Sequence, residues 1–184
     1  IPEGVTKIDT FAFASCKQLK FVEFPKTLEE ICDSAFDFCI SLQEVKLFDG
    51  MKEIGKRAFS NCRALHTVTL CDGIKKIGEE AFSYCGLLKE IHLSDSLTTL
   101  GSLAFFDTAL ESVMISKKMK TISNSAFRRT KLKRVVIPSN IKTIREAAFC
   151  ECPLDDVVFE DGVQTIKYQA FAGTAVKEIH FPES

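Results

Sequence analysis

The chain has 184 residues, of which 46% are hydrophobic and 27% charged, and its formal net charge is −1. This balance is typical of a globular protein and argues against a disordered chain. A nearly neutral chain has no global field that attracts nucleic acid or a membrane surface, so we expect neither as a partner.

The N-terminus, Ile1-Pro2-Glu3-Gly4, lacks the basic and apolar pattern of a signal peptide. No apolar run approaches the roughly 18 residues that a membrane-spanning helix needs, so we expect no membrane insertion of this segment. The chain begins without Met and in the middle of a repeat unit. We therefore expect residues 1–184 to form a single domain that is a fragment of a longer protein, without capping repeats.

The dipeptide Ala-Phe recurs eight times, first at intervals of 23 residues and later at intervals of 22. The phenylalanines of this column are Phe13, Phe36, Phe59, Phe82, Phe105, Phe127, Phe149 and Phe171. The unit shortens because Cys-x-x-Leu, as in Cys62-Arg63-Ala64-Leu65, becomes Thr-x-Leu, as in Thr108-Ala109-Leu110. A period of this length predicts a solenoid in which stacked units share one core.

Each unit contains two predicted elements in a fixed order. The segment His66–Leu70 alternates with period two and predicts a short strand, which would pair in parallel with its equivalents. The segment Ile77–Cys85 has apolar residues at i, i+4, i+5 and i+8, which predicts one or two helical turns. We therefore expect an α/β repeat solenoid of eight repeats, a right-handed coil with a parallel sheet on its concave face and short helical or 3₁₀ turns on its convex side.

The spacing Ala-Phe-x-x-Cys-x-x-Leu-x-x-Val-x-Leu, with Ile-Gly at the end of the unit, resembles the BspA-like leucine-rich repeats, also called the Treponema pallidum type. The resemblance covers nearly the whole chain. Known members of that family are mostly secreted or surface proteins, and several are adhesins. The resemblance therefore implies a cell-surface or extracellular location and an adhesive role.

The cysteines and histidines do not form a pattern typical of metal binding. Five of the eight cysteines share one column, where threonine replaces them in other units, so we interpret them as buried structural thiols. Cys32, Cys71 and Cys150 lie outside that column, and none has a CxxC spacing. His92 and His180 hold equivalent strand positions four coils apart, about 19 Å at the usual strand spacing. We expect no metal and no cofactor.

Solenoids usually bind along the outward residues of their sheet, so the candidate partner-binding residues come from the predicted strands. The first units have polar residues there, whereas Met114, Val136 and Val158 form an apolar stripe that begins where the unit shortens. An apolar stripe with a polar rim is typical of protein-interaction sites. The candidate residues are Glu23, Lys46, His92, Met114, Arg134, Val136, Asp156, Val158 and His180.

No nucleophile motif, phosphate-binding loop or catalytic cluster is present, so we expect no enzyme activity. The favoured function is a protein-interaction or adhesion module that binds a protein or host-surface ligand. The alternatives are a structural spacer or stalk that presents another domain, and an accessory domain of an enzyme whose catalytic part lies outside this chain. The uncapped ends favour end-to-end self-association.

Overall fold

The computed structural model describes residues 1–179 and 181, in which the chain winds into a solenoid of stacked coils. Two rows of parallel strands run along the stack. The first row, which we call the valine face, contains β3 (Glu44–Lys46), β5 (Thr67–Thr69), β7 (Glu90–Ile91), β9 (Ser112–Val113), β11 (Arg134–Ile137) and β13 (Asp156–Phe159). The second row, the isoleucine face, contains β1 (Lys7–Ile8), β2 (Glu30–Ile31), β4 (Glu53–Ile54), β6 (Lys76–Ile77), β8 (Thr99–Leu100), β10 (Thr121–Ile122), β12 (Thr143–Ile144) and β14 (Thr165–Ile166).

The valine face confirms the predicted strands and their parallel register. Val45 lies opposite Val68, and Val135 lies opposite Val157, so equivalent residues of two paired strands face each other. The strands show the alternation of exposed and buried residues that the sequence predicts, with Val45, Val68, Val135 and Val157 in the core. Every second side chain of a strand is buried, because successive side chains point to opposite faces and the other face meets solvent.

The prediction of helical turns after the second row of strands is wrong for the described residues, which contain no helix. Two residues in each turn segment, one on either side of Ala-Phe, have positive φ; in one coil these are Glu80 at 55° and Tyr84 at 59°. A left-handed residue interrupts the right-handed helical path, so the chain makes two consecutive turns instead of a helix. The sequence analysis also missed the strands of the isoleucine face, because it assigned their isoleucines to the helix.

Almost all of the left-handed positions are occupied by residues other than glycine. A residue with a Cβ is destabilised there by a steric clash of about 1–2 kcal/mol. We expect Gln169→Gly to relieve this cost at φ 54° and to raise the free energy of unfolding by about 0.5 kcal/mol after the extra entropy of unfolded glycine is subtracted. Urea titration followed by circular dichroism measures the change. The control Gln164→Gly, in the same coil but outside the positive-φ positions, should lower stability instead. Equal effects of the two substitutions would contradict the proposed strain.

The centre of the solenoid is a continuous stack of phenylalanine rings. Successive rings of the Ala-Phe column lie 5.1 to 5.7 Å apart between centroids, and no interplanar angle in the stack exceeds 11°. The six inner rings of the column are fully buried. Each inner ring therefore contacts one ring above and one below, and adjacent coils share their most apolar surface.

The cysteine column lies beside this stack and links neighbouring coils. Cys39, Cys62 and Cys85 each donate from Sγ to the main-chain carbonyl of the phenylalanine in the preceding coil, at 3.1, 3.2 and 3.2 Å. Thr108, which replaces cysteine in a shorter coil, donates instead to Phe105 of its own coil at 3.0 Å. All eight cysteines are free thiols. The prediction that the column cysteines are buried is confirmed for Cys39, Cys62, Cys85 and Cys152 but is wrong for Cys16, which is exposed in the first coil.

Burial raises the pKa of the thiols in the cysteine column, which we call the ladder thiols. It raises the pKa of Cys39 to about 11 and that of Cys85 to about 12, and it also raises the pKa of Cys62. The thiolate is the reactive form, so these thiols should not react with a disulfide reagent at pH 8 until the protein unfolds. Cys16 is exposed and should react at once. Stopped-flow absorbance measures both phases, and Cys16→Ser should remove the fast one; rapid modification of the ladder thiols in the native protein would contradict this assignment.

The change from longer to shorter coils coincides with a break in the isoleucine face. β1, β2, β4, β6 and β8 form one sheet, and β10, β12 and β14 form another. Gly55, Gly78 and Gly101 stack directly after the strands of the first sheet, where the backbones of adjacent coils nearly touch. The next residue of that column is Ser123, whose hydroxyl donates to the carbonyl of Leu100 at 2.5 Å. The run of three glycines therefore ends where the first sheet of the isoleucine face ends.

The loop that loses a residue is the one that the sequence predicted. In a longer coil, Arg63 and Ala64 form a turn after Cys62, whereas the shorter coil runs from Thr108 to Leu110 without a turn. Leu65 and Leu110 are both fully buried. The deletion therefore leaves the core position intact.

Candidate functional site

The valine face presents one outward column between its buried valine and leucine positions. Of the predicted site residues in this column, Glu23, Lys46, His92, Met114 and Val136 are exposed, and Val158 is half-buried. His180 lies outside the described residues. The column is therefore accessible along most of the stack, because the alternation of the strands turns these side chains away from the core.

The second half of the face contains the predicted apolar stripe and its polar rim. Met114 is 60% exposed and Val136 is 40% exposed. Val136 lies opposite Val158 in the β11–β13 ladder, and on the same ladder the Arg134 guanidinium lies 3.2 Å from the Asp156 carboxylate. The structure thus places these four residues of β11 and β13 together, but the half-buried Val158 contributes less apolar surface than the sequence suggests.

The first half of the face has a different character. Glu23 and Lys46 border a groove of about 520 Å³ that also includes Phe21, Phe24 and Phe48. The ammonium group of Lys46 lies 5.6 Å from the centre of the Phe48 ring, which holds the lysine side chain against its own coil. These two predicted residues therefore lie apart from the apolar stripe and do not form one site with it.

The central part of the face contains a groove of about 460 Å³. Its walls come from β5, β7 and β9 and from residues that flank these strands. The side chains that line it include the predicted residues His92 and Met114 together with His66, Thr69, Glu90 and Ser112. A groove that combines two imidazoles, a carboxylate, hydroxyls and a thioether can contact both apolar and polar groups of a partner.

The groove lies where the strand pairing of the valine face is interrupted. In the described part of the chain, β3 pairs with β5, β7 with β9, and β11 with β13, and no ladder joins β5 to β7. The sequence analysis identified His92 and Met114 from the outward column but missed His66 and Glu90, which belong to the neighbouring columns. Comparing the repeat positions of His66 and Glu90 with that of His92 across adjacent coils would have grouped these residues, although the interruption itself has no sequence signal that we can identify.

The side chains of the groove do not form a metal-binding cluster. Within residues 1–179 and 181, no group of three or more His, Cys, Asp or Glu residues could hold a metal ion. His66 Nδ1 lies 2.9 Å from the hydroxyl of its neighbour Thr67. The described chain also has no helix that is long and apolar enough to cross a membrane. What the groove offers is a set of hydrogen-bonding and apolar contacts.

The fold is shared with bacterial leucine-rich repeat proteins. A leucine-rich cell surface protein from Faecalibacterium prausnitzii is 29% identical with a TM-score of 0.80, and the match covers 88% of this chain and 46% of that one. The Treponema pallidum leucine-rich repeat protein is 28% identical with a TM-score of 0.68, over 92% of this chain and 70% of its own. The pneumococcal vaccine antigen PcpA is 25% identical with a TM-score of 0.69, over 99% of this chain and 50% of its own.

This chain thus spans about half the length of the Faecalibacterium and pneumococcal proteins. No curated protein sequence matches it significantly. The family model for the BspA type leucine rich repeat region matches residues 6–131 and 120–184, in six copies, which covers nearly the whole chain. The repeat spacing, the stacked fold and the family match agree, and the chain belongs to the BspA-type leucine-rich repeat family.

Proposed function

We propose that this chain is a non-catalytic protein-interaction module of a cell-surface or secreted protein, and that it binds its partner through the valine face. The observation that carries the proposal is the central groove between β5, β7 and β9, next to the exposed Met114 and Val136. Solvent-exposed apolar side chains beside polar groups are what a protein partner can desolvate and pair with.

The proposed location at the cell surface or outside the cell is supported by the similar proteins. A similar solved structure is described as a cell surface protein, and another is a pneumococcal vaccine antigen. A protein of that kind meets its partners outside the cell, where an exposed face on a rigid solenoid is directly accessible. A stalk that only presents another domain would need no such groove, which is why we favour binding over the spacer alternative.

The test uses one lysine substitution on each face. Met114→Lys introduces a charge into the groove of the valine face, and Thr99→Lys introduces the same charge at an exposed strand position of the isoleucine face. The purified variants are compared with the parent chain for binding to immobilised extracellular proteins that carry no acidic polysaccharide, measured by biolayer interferometry. We expect Met114→Lys to weaken binding roughly tenfold or more, as the loss of a central interface contact does.

The matched control, Thr99→Lys, separates an effect on the valine face from a general effect of an added charge. Thr99→Lys should leave binding unchanged, because it lies outside the valine face. If both variants bind as the parent does, the valine face is not the binding surface. If the parent chain binds none of the immobilised proteins, the alternative function as a structural spacer is favoured.

A further inference from the structure

The balanced net charge of the chain hides one strongly basic segment. Residues 112–145 contain ten lysine and arginine residues and no aspartate or glutamate. The rest of the chain holds 14 lysines and arginines against 25 acidic residues. The cations of the segment are Lys117, Lys118, Lys120, Arg128, Arg129, Lys131, Lys133, Arg134, Lys142 and Arg145.

Some of these cations are neutralised in the structure. Arg128 and Arg129 both bind the carboxylate of Glu151, each at 2.6 Å, and Arg134 pairs with Asp156. No ion pair is formed, in the described part of the chain, by the lysines of the segment or by Arg145. Seven of the ten cations of the segment therefore form no ion pair within the described residues.

Five of the unpaired cations lie on or beside the isoleucine face, and we call them the basic surface: Lys117, Lys118, Lys120, Lys142 and Arg145. The amide of Lys142 donates to the carbonyl of Lys120 at 2.9 Å, so these two lysines occupy adjacent coils. Lys117 and Lys118 lie on the turn before Lys120. The Asn140 amide of the next coil donates to the carbonyl of Ser116 at 3.2 Å and also to that of Met119, which fixes this turn against its neighbour.

In the earlier coils of the same face, four lysines pair with carboxylates of adjacent coils, whereas Lys75 forms no ion pair in the described part of the chain. Lys7 lies 3.4 Å from Glu30, and Lys56 lies 3.2 Å from Glu79. Two further pairs join coils in the same way, Lys52 with Glu29 and Lys76 with Glu53. Lys52 belongs to the same repeat column as Lys120 and Lys142. Like charges on adjacent coils repel each other, so the unpaired lysines of the later coils weaken the fold slightly unless an external anion neutralises them.

The surroundings of the basic surface are rich in hydroxyl and amide groups. Thr121, Thr143 and Thr165 lie opposite one another in the β10–β12–β14 sheet, so their outward side chains repeat about every 4.8 Å. A groove of about 510 Å³ adjoins them. It is lined by Asn124, Thr143, Arg145, Glu146, Lys167 and Tyr168.

From this arrangement we infer that the isoleucine face of the later coils binds an acidic polysaccharide, with the basic surface contacting its sulfate or carboxylate groups and the threonine row contacting its hydroxyls. The positive charges of the basic surface attract the anionic groups of the polysaccharide. The regularly spaced threonine hydroxyls can hydrogen-bond the hydroxyls that repeat along the polymer. Single-stranded nucleic acid is less well matched, because its binding sites stack successive bases on several aromatic rings and Tyr168 is the one aromatic residue of this groove. This binding surface is distinct from the valine face.

The experiment measures binding of the chain to a heparin fragment by isothermal titration calorimetry at low and high salt. The parent should bind, and the affinity should fall as salt is added, because the contacts are exposed charges. Replacing Lys120 and Lys142 together by glutamine should weaken binding roughly tenfold, from two exposed charge contacts. The matched control replaces Lys52 and Lys76 by glutamine, which removes the same charge from the same face and should leave heparin binding unchanged.

Several outcomes would overturn the inference. Failure of the parent to bind heparin at low salt would do so, and so would equal weakening by the two double variants, which indicates a general charge effect. Tighter binding to polyuridylate than to heparin would assign the surface to nucleic acid instead. Met114→Lys should retain heparin binding, so a failure of the valine-face proposal and a failure of this one give different results.

Discussion

Replacing Phe82 with alanine should lower the free energy of unfolding by about 3–5 kcal/mol. Phe82 is fully buried in the middle of the stack, and its ring lies 5.4 Å from that of Phe59 and 5.5 Å from that of Phe105. The substitution removes apolar contact with both neighbouring coils and leaves a cavity that the rigid backbone of the solenoid cannot close. In a repeat protein the interfaces between neighbouring units supply much of the stability, so one change weakens two interfaces. Urea titration followed by circular dichroism measures the loss.

Two controls separate burial in the stack from the loss of a large side chain. Phe13→Ala removes a ring whose one partner in the stack is Phe36, so the loss should be smaller than at Phe82. Phe21 is 63% exposed, and its replacement by alanine should change stability little. A loss at Phe21 as large as that at Phe82 would show that the ring stack is not the main source of the effect.

The second large effect is expected from Gly101→Ala, which should cost about 3 kcal/mol. A Cβ built on Gly101 would lie 2.3 Å from the backbone nitrogen of Glu79 and 2.4 Å from the carbonyl carbon of Gly78. Both atoms belong to the backbone of the preceding coil, so no side chain can move aside and the coils themselves must separate. Because Gly101 directly follows β8, the separation would disturb the last strand of the first isoleucine-face sheet. Thermal unfolding followed by circular dichroism reports the change.

Gly86→Ala is the matched control, since nothing lies within 4 Å of the position that its Cβ would occupy. It is expected to be neutral or to stabilise the fold by up to about 1 kcal/mol through the unfolded state. Similar destabilisation by the two substitutions would argue that glycine matters at both positions for backbone flexibility rather than for close approach of the coils.

The location of cations in the chain changes how the charge balance should be interpreted. A net charge near zero argues against a global field, and that argument stands for the whole molecule. It does not apply to one and a half coils in which every charged residue is basic. Because consecutive coils stack on one another, basic residues that are close in the sequence also lie close together on the surface. Charge in a repeat protein is therefore better assessed coil by coil.

Much of the architecture could be predicted because it repeats. The phenylalanine, cysteine, leucine and valine columns predicted the stacked core, the buried thiols, the strands of the valine face and the site of the one-residue deletion. These positions report burial, and burial selects residue type strongly enough to be read from eight copies of the unit. The outward column likewise identified His92, Met114 and Val136 as accessible residues.

The local path of the chain between those columns depended on the tertiary structure. The spacing of Ile77, Ala81, Phe82 and Cys85 fits a helix, but equally fits two turns held by left-handed residues such as Glu80 and Tyr84. The left-handed conformation of these residues cannot be predicted from residue type, because they are not glycines and contacts with the neighbouring coils keep them at positive φ. The groove beside Met114 likewise arises where β5 and β7 lie side by side without pairing. The sequence by itself determined which side chains face the core, because apolar burial acts on each residue; the tertiary structure decided how the backbone turns and where the faces open, because those depend on hydrogen bonds between coils.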